Sequence, residues 1–380
     1  MKILADQNMP LVEQYFADLG QVERFDGRAL QSDQLVDVDV LLTRSVTQVN
    51  ETLLSKANKL KFVGTATIGV DHIDTDLLTQ RGIAFTSAPG CNAIAVAEYV
   101  LSSIFALAQE NASTVLGKTI GIVGVGSIGS CLREKLAALD VNVLLCDPPK
   151  HEAGLLPEHC DFDELLAQSD IVTFHVPLIK TGKHTTLHLL DKARLLSLKS
   201  GTTLINASRG DVIDNQALLE VMQAGAKLDL VIDVWENEPF ILSELLDYVR
   251  LSSVHIAGHT LEGKARGTQM LYQTLCQIEG LTADKSLADF LPKPCITQVS
   301  LEDTFTLADL GQLLHLVYDV RRDDGIMRRH LAQHGFDSLR KNYPIRREFS
   351  TVSIAGSGHY AALLAALGFN ILDNGQTGDC

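Results

Sequence analysis

The chain has 380 residues, 46 % of them apolar, and a formal net charge of −15. Its length predicts two or three domains, and its charge argues against a general nucleic-acid surface. An anionic substrate must therefore be held by local cationic groups, against the overall field.

The start of the chain shows no charged-then-apolar signal pattern, and no stretch approaches the ~18 consecutive apolar residues of a membrane span. Seven cysteines occur without a Cys-x-x-Cys, among them Cys380. An odd number in that spacing argues against a disulfide framework and a zinc ribbon. A cytoplasmic protein is expected, with no metal and no nucleic-acid or membrane partner.

Short apolar runs alternate with helical patterns from the start. Strands are predicted at Lys2–Ala5, Val40–Thr43, Phe62–Gly64 and Ile83–Phe85, and a helix at Met9–Leu19. This alternation implies a parallel sheet covered on both faces. Asn92 is the expected N-cap of a long apolar helix running from Ala93 to about Gln109. A second series has predicted strands at Ile120–Val123, Val141–Cys146, Ile171–Phe174, Thr203–Asn206 and Leu230–Val234. A further helix is expected from about Glu262 to Ile278. Gly280–Pro294 then reads as a linker, and the last stretch carries elements of its own.

Gly124-Val125-Gly126-Ser127-Ile128-Gly129 follows one of these strands and opens a helix. In such a turn the first glycine permits the bend, the second admits a pyrophosphate, and the third allows close helix–strand packing. Asp147 ends the next strand, close to the ~20-residue distance at which an acid bonds ribose hydroxyls. An acid there repels a 2′-phosphate, so NAD is favoured over NADP. Gly356-Ser357-Gly358-His359-Tyr360-Ala361 has a similar look, with Asp373 at the end of a later apolar run. Too little chain follows for a second binding domain, and the segment reads as one structural βαβ unit.

Three clusters lie just past apolar runs, where doubly wound sheets bind ligands. Asn206–Asp211 contains Arg209, whose fork suits a carboxylate. Asp233–Pro239 contains Glu236 and Glu238. Val254–His259 contains His255 and His259. Histidine is the usual proton donor and acceptor near neutral pH, and a carboxylate on its ring orients it. Each residue alone reads as structural, whereas the Arg, Glu and His together read as catalytic.

These motifs, in this order over about residues 1–285, resemble the D-isomer-specific 2-hydroxyacid dehydrogenases. Ser169–Leu178 adds to the match. The resemblance implies an α/β architecture with a Rossmann-type NAD domain (93–258) inserted in a flavodoxin-like substrate domain (1–92 and 259–285). Within the family, three features resemble a branch that takes a small phosphorylated 2-hydroxy acid. They are Arg44-Ser45-Val46-Thr47, the run Phe62–Asp74 followed by Ala88–Ala93, and the extension after the linker. The branch implies that residues 286–380 form an α/β dimerisation domain, hence a homodimer.

Carried over by motif, Arg209, Glu238 and His255 are implied to be catalytic. Gly124, Gly126, Ser127, Ile128, Gly129, Asp147, His175, Ala207, Ser208, Asp233 and Gly258 are implied to contact NAD, as is Arg209. Ser45 and Thr67 are implied to contact substrate, His259 is expected to contact it in place of a tyrosine, and Arg44, by its position past a strand end, is a candidate for the substrate phosphate, as are Arg346 and Arg347. Two positions depart from the pattern. Val254 stands where the family usually has Pro, and His259 where a tyrosine is expected. Two other readings stay open: a phosphoglycerate or other 2-hydroxyacid dehydrogenase, and an NAD(H)-sensing regulatory protein of the same fold.

Overall fold

The structure, a computed structural model, describes residues 1–372, so Asp373 and Cys380 lie outside the described residues. The chain divides into two compact units. One comprises Met1–Ala93 with His259–Lys293, the other Ile94–Gly258 with the segment from Pro294 onward.

The first unit is built on five parallel strands: β1 (Lys2–Asp6), β2 (Gln21–Phe25), β3 (Val40–Thr43), β4 (Phe62–Thr65) and β5 (Ala84–Thr86). Their order is β2-β1-β3-β4-β5, the flavodoxin-like arrangement. Alternation along the strands explains the layers. Ile3, Ala5, Val40, Leu42 and Phe62 enter one apolar cluster, and Leu4, Leu41 and Val63 enter another on the opposite face. The returning helix Leu261–Glu279 seals the first face with Leu271, Tyr272 and Leu275. Each fully buried leucine there contributes roughly 1.5–3 kcal/mol. Those contacts tie His259–Lys293 to the N-terminal sheet.

β2 was not expected from the sequence. It is an edge strand with an exposed and half-exposed pattern, so its residues carry little apolar signal. The helix expected over Met9–Leu19 is only Val12–Phe16, because Leu11 takes the left-handed conformation at φ 59°.

The second unit holds β6 (Thr119–Val123), β7 (Asn142–Cys146), β8 (Ile171–Phe174), β9 (Thr203–Asn206), β10 (Asp229–Ile232) and β11 (Leu251–Ser252). They pair in parallel in the order β11-β10-β9-β8-β6-β7. The chain steps from β6 to β7 on one side and then to β8 on the other, so the topological switch lies between β6 and β8. Ligands of doubly wound sheets bind at that point.

The helix Ala93–Glu110 has the length and composition of a membrane span, yet 83 % of it is buried inside the protein. It is the core helix of this unit, contributing Val96, Val100 and Ile104 to the largest apolar cluster. Asn92 does not cap it. The Asn92 Oδ1 is buried and accepts no hydrogen bond among the described residues, while the Ala93 amide donates to the Gly90 carbonyl.

The extension from Pro294 forms a small parallel sheet of β12 (Gln298–Ser300), β13 (Ser353–Ala355) and β14 (Asn370–Ile371), in the order β12-β13-β14. Leu310, Leu314, Tyr318 and Phe349 belong to the same apolar cluster as Val96 and Val100, so the extension and the second sheet share a core. The Gly356–Ala361 turn joins β13 to the helix Ala361–Leu367 and on to β14, a single βαβ unit.

Candidate active site

The glycines after β6 answer to different requirements. Gly124 sits at φ 90°, and a Cβ there would lie 2.6 Å from the His175 carbonyl oxygen beyond β8. A Cβ on Gly129 would lie 2.1 Å from the Gly124 carbonyl oxygen. Gly126 is the N-cap of the helix Ser127–Leu136, at an ordinary φ of −74°. A Cβ there would meet nothing within 4 Å. The chain itself does not require glycine at Gly126, and the missing side chain leaves the backbone there open to close approach. Gly126 and Ser127 are exposed and Ile128 is half-buried, which leaves the helix N-terminus open to an anion.

His175 and Asp147 flank this turn. The His175 ring is 8 % exposed, its Nε2 lies 3.0 Å from Thr173 Oγ1, and its Nδ1 has no partner among the described residues. Burial pushes the ring's pKa down to about 3, so it is neutral at working pH. The Asp147 carboxylate accepts from the Val125 amide at 2.9 Å and from the Lys150 amide at 3.1 Å. It therefore fixes the glycine turn as well as capping the helix Pro148–Glu152. An orphaned buried nitrogen, an open glycine and an acid past the second strand together fit a dinucleotide.

The candidate acid–base pair, His255 and Glu238, stands towards the other edge of the same sheet. His255 Nδ1 lies 2.8 Å from Glu238 Oε2, with the two side chains 30 % and 21 % exposed. The other carboxylate oxygen of Glu238 accepts from the Trp235 amide at 2.9 Å. Burial pushes the Glu238 carboxyl up. The charge and hydrogen bond of His255, the Trp235 amide and the Arg340 guanidinium outweigh it, holding the group below the usual carboxylate range.

Glu236, the other glutamate of that segment, faces elsewhere. It accepts from the Asn215 amide at 2.8 Å and lies 2.5 Å from His188 Nε2. His188, Asp214 and Glu236 place one ligand atom each within 4.8 Å of the others, with His188 Nδ1 3.6 Å from Asp214 Oδ2.

His255 itself has φ 58°, in the left-handed region that a non-glycine residue enters only when its surroundings hold it there. Asp233, 1 % exposed, does much of the holding. Its Oδ1 accepts from Ser253 Oγ at 2.6 Å and the Ile256 amide at 2.7 Å, and its Oδ2 accepts from the Ala257 amide at 3.0 Å. Its carbonyl accepts from the His255 amide at 2.7 Å. Motif reading did not show this role for Asp233. The Gly258 that follows is half-buried.

Arg209 lies just past β9, between the glycine turn and the His255 turn in strand order. Ala207 and Ser208 are buried, and Ser208 Oγ donates to Asn206 Oδ1 at 3.0 Å. Asn206 Nδ2 donates to the Arg209 carbonyl at 3.0 Å, and Arg209 Nη1 donates to the Ser208 carbonyl at 2.8 Å. A Cβ on Gly210 would lie 2.0 Å from the Trp235 carbonyl. The Arg209 loop is thus locked against the loop carrying Glu238.

In the first unit, β3 and β4 run side by side with Thr43 paired to Thr65. Arg44 and Ser45 leave the end of β3, and Thr67 follows β4. Thr67 Oγ1 donates to the Gly69 carbonyl at 2.9 Å and lies 2.8 Å from Thr65 Oγ1, which is 2.9 Å from His72 Nε2. Arg44 and Asn8 act against the burial that raises the carboxyl of Asp6. His259 directly precedes Thr260, the N-cap of the helix Leu261–Glu279.

Arg346 does not present its charge to a phosphate. It is 2 % exposed, its Nη1 and Nη2 donate to the Ala257 and Ala95 carbonyls at 2.9 and 2.6 Å, and its guanidinium lies 3.5 Å from the Tyr318 ring centroid. An arginine in a polar-looking stretch reads as a surface charge, but this one is a core strut. The Arg347 that follows is half-buried.

The comparisons with known proteins agree with this fold. Residues 95–260 match the family described as D-isomer specific 2-hydroxyacid dehydrogenase, NAD binding domain, and residues 290–368 match a domain of unknown function. The chain is 73 % identical, over 98 % of its length, to the whole of an erythronate-4-phosphate dehydrogenase from Pseudoalteromonas translucida. It is 50 % identical to that of Proteus mirabilis, covering 97 % of this chain and 99 % of the relative. Among solved structures, a D-lactate dehydrogenase from Aquifex aeolicus complexed with NAD and lactic acid is similar at TM-score 0.58 and 26 % identity, covering 73 % of this chain and 96 % of that one. An NAD+-bound 3-phosphoglycerate dehydrogenase of Entamoeba histolytica shares the fold at TM-score 0.64 and 21 % identity, over 77 % of this chain and 99 % of its own.

Proposed function

This chain belongs to the erythronate-4-phosphate dehydrogenases, within the D-isomer-specific 2-hydroxyacid dehydrogenases, and we propose that Arg209, Glu238 and His255 carry its reaction. The enzyme oxidises 4-phospho-D-erythronate to (R)-3-hydroxy-2-oxo-4-phosphooxybutanoate with NAD, a step of pyridoxal 5′-phosphate synthesis. The observation that carries the assignment of residues is the 2.8 Å contact between His255 Nδ1 and Glu238 Oε2.

Bound NAD supplies the hydride acceptor. With Nδ1 committed to Glu238, His255 takes the substrate hydroxyl proton at Nε2 as the C2–H bond breaks. Glu238 orients the ring and offsets the positive charge that forms on it. Arg209 receives the substrate carboxylate through two parallel bonds and polarises the 2-oxygen. The glycine turn, Asp147, His175, Ala207–Arg209, Asp233 and Gly258 hold the cofactor. Arg44, Ser45, Thr67 and His259 hold the substrate, with Arg44 the candidate for its phosphate. We further propose a cytoplasmic homodimer formed through the C-terminal extension, which light scattering of the purified protein tests.

The test of the reaction is NADH formation with 4-phospho-D-erythronate, beside 3-phosphoglycerate and D-lactate, over single and multiple turnovers. A clear preference for phosphoerythronate supports the assignment. Turnover only with another acid, or NAD binding without turnover, overturns it.

A further inference from the structure

The turn that carries His255 is gripped from two sides. On the inner side is Asp233. On the outer side are residues of the extension. Asp324 Oδ1 accepts from the Ser252 amide at 2.9 Å and from Ser252 Oγ at 2.7 Å. Arg340 Nε donates to the His255 carbonyl at 3.2 Å. Arg346 Nη1 donates to the Ala257 carbonyl at 2.9 Å. Three side chains of the extension thus hold alternate parts of one six-residue stretch, Ser252–Ala257.

Arg340 differs from the other two. Asp324 caps a strand edge and Arg346 lies in the core, whereas Arg340 is half-buried and its positive charge helps to hold the Glu238 carboxyl down. The charges of His255, from the neighbouring turn, and then of Arg340, from the extension, both hold the Glu238 carboxyl down. Its Nε bond ends on the backbone of the residue with the strained φ of 58°.

We propose that Arg340 is a positioning residue of the active centre: through its bond to the His255 carbonyl it braces the turn that carries the imidazole, so that the extension takes part in catalysis. The inference rests on the roles given above to Glu238 and His255. Arg340 itself stays out of the proton path. It acts through the orientation of the imidazole and the charge of its carboxylate partner. A small misplacement of a reacting group can lower a rate by on the order of 100-fold.

The test uses the full-length enzyme with Arg340→Gln and Arg340→Lys. It reads kcat and KM for 4-phospho-D-erythronate and NAD, the pH profile of kcat/KM, and Tm. Arg340→Gln is expected to lower kcat roughly 10- to 100-fold and to leave the KM for NAD unchanged. Without the guanidinium, Glu238 binds its proton more readily, so the acid limb of the profile moves to higher pH. Arg340→Lys is expected to return the limb towards its wild-type position while kcat stays low, since the Nε bond is lost. Should Arg340→Gln fail to fold, Arg340→Lys carries the test through its kcat.

Wild-type kcat with an unmoved acid limb in either folded variant overturns the inference. So does a loss confined to the KM of the phosphorylated substrate, which would make Arg340 a phosphate ligand. A wild-type enzyme inactive on phosphoerythronate would instead sink the assigned reaction, which the same series reads separately.

Discussion

Glu238 Oε2 sits 2.8 Å from His255 Nδ1, while its Oε1 is fixed 2.9 Å from the Trp235 amide. A carboxylate held at both oxygens is rigid, and it permits one imidazole tautomer, with hydrogen on Nδ1 and an open Nε2. Glu238→Gln keeps the shape and removes the charge. A carboxamide can turn its NH2 to the ring and stabilise the other tautomer. The expected outcome is a fall in kcat of about 10²- to 10⁴-fold with NAD affinity retained, measured by steady-state kinetics and a binding titration. Unchanged kcat would remove Glu238 from the mechanism.

Arg209 tests the substrate end of the same constellation. Its backbone is locked through Asn206 and Gly210, so a change confined to its side chain should leave the loop in place. Arg209→Ala is expected to lose about 2–5 kcal/mol in kcat/KM, the range of a truncated charge-assisted pair. Arg209→Lys should recover only part, because an ammonium cannot make two parallel bonds to a carboxylate. Near wild-type kcat/KM in the alanine variant would sink the assignment.

The central strands were legible because burial on both faces makes them mostly apolar, as in Ile171–Phe174 and in Leu204 and Ile205 of Thr203–Asn206, each strand buried throughout. The site was legible because its parts stand just past those runs. The limits have physical causes too. Gln21–Phe25 pairs along one edge only, so it needs no apolar run and left none. Asn92 has the residue type of a helix cap, but tertiary packing buried its side chain instead. Arg340 reaches the His255 carbonyl from 85 residues away, and no local period encodes such a contact. Arg346 had the look of a surface charge until packing enclosed it.

The first two roles in the glycine turn can be separated by adding a single methyl group. At Gly124 the chain forbids it, through φ 90° and a carbonyl 2.6 Å from the new Cβ. Gly124→Ala should therefore lower Tm with or without cofactor, at a cost of about 1–3 kcal/mol. At Gly126 the chain has room, with no atom within 4 Å. Gly126→Ala should keep the wild-type Tm of the cofactor-free protein and weaken NAD roughly tenfold, about 1.4 kcal/mol. Thermal melts with and without NAD distinguish the two. An equal loss of apo Tm in both variants would make Gly126 a structural glycine.

Glu98 makes the stability of the second unit depend on pH. It is fully buried in the helix Ala93–Glu110, and its Oε1 accepts from the Phe349 amide of the extension at 3.0 Å. Burial, then the charge of Glu348, push its carboxyl up to about 8, against the opposing charges of Lys135 and Arg346. The folded protein therefore holds this proton more tightly than the unfolded chain, whose glutamate titrates at 4.5. The stabilisation is complete below about 4.5 and is lost progressively as pH rises to about 8. Glu98→Gln keeps a neutral acceptor for the Phe349 amide and cannot ionise. Its melting curve should be flatter than wild type across that window, with the difference growing towards alkaline pH. Parallel pH profiles in the two proteins would mean that Glu98 stays ionised in its pocket. The junction between core helix and extension would then be held by its charge rather than by its proton.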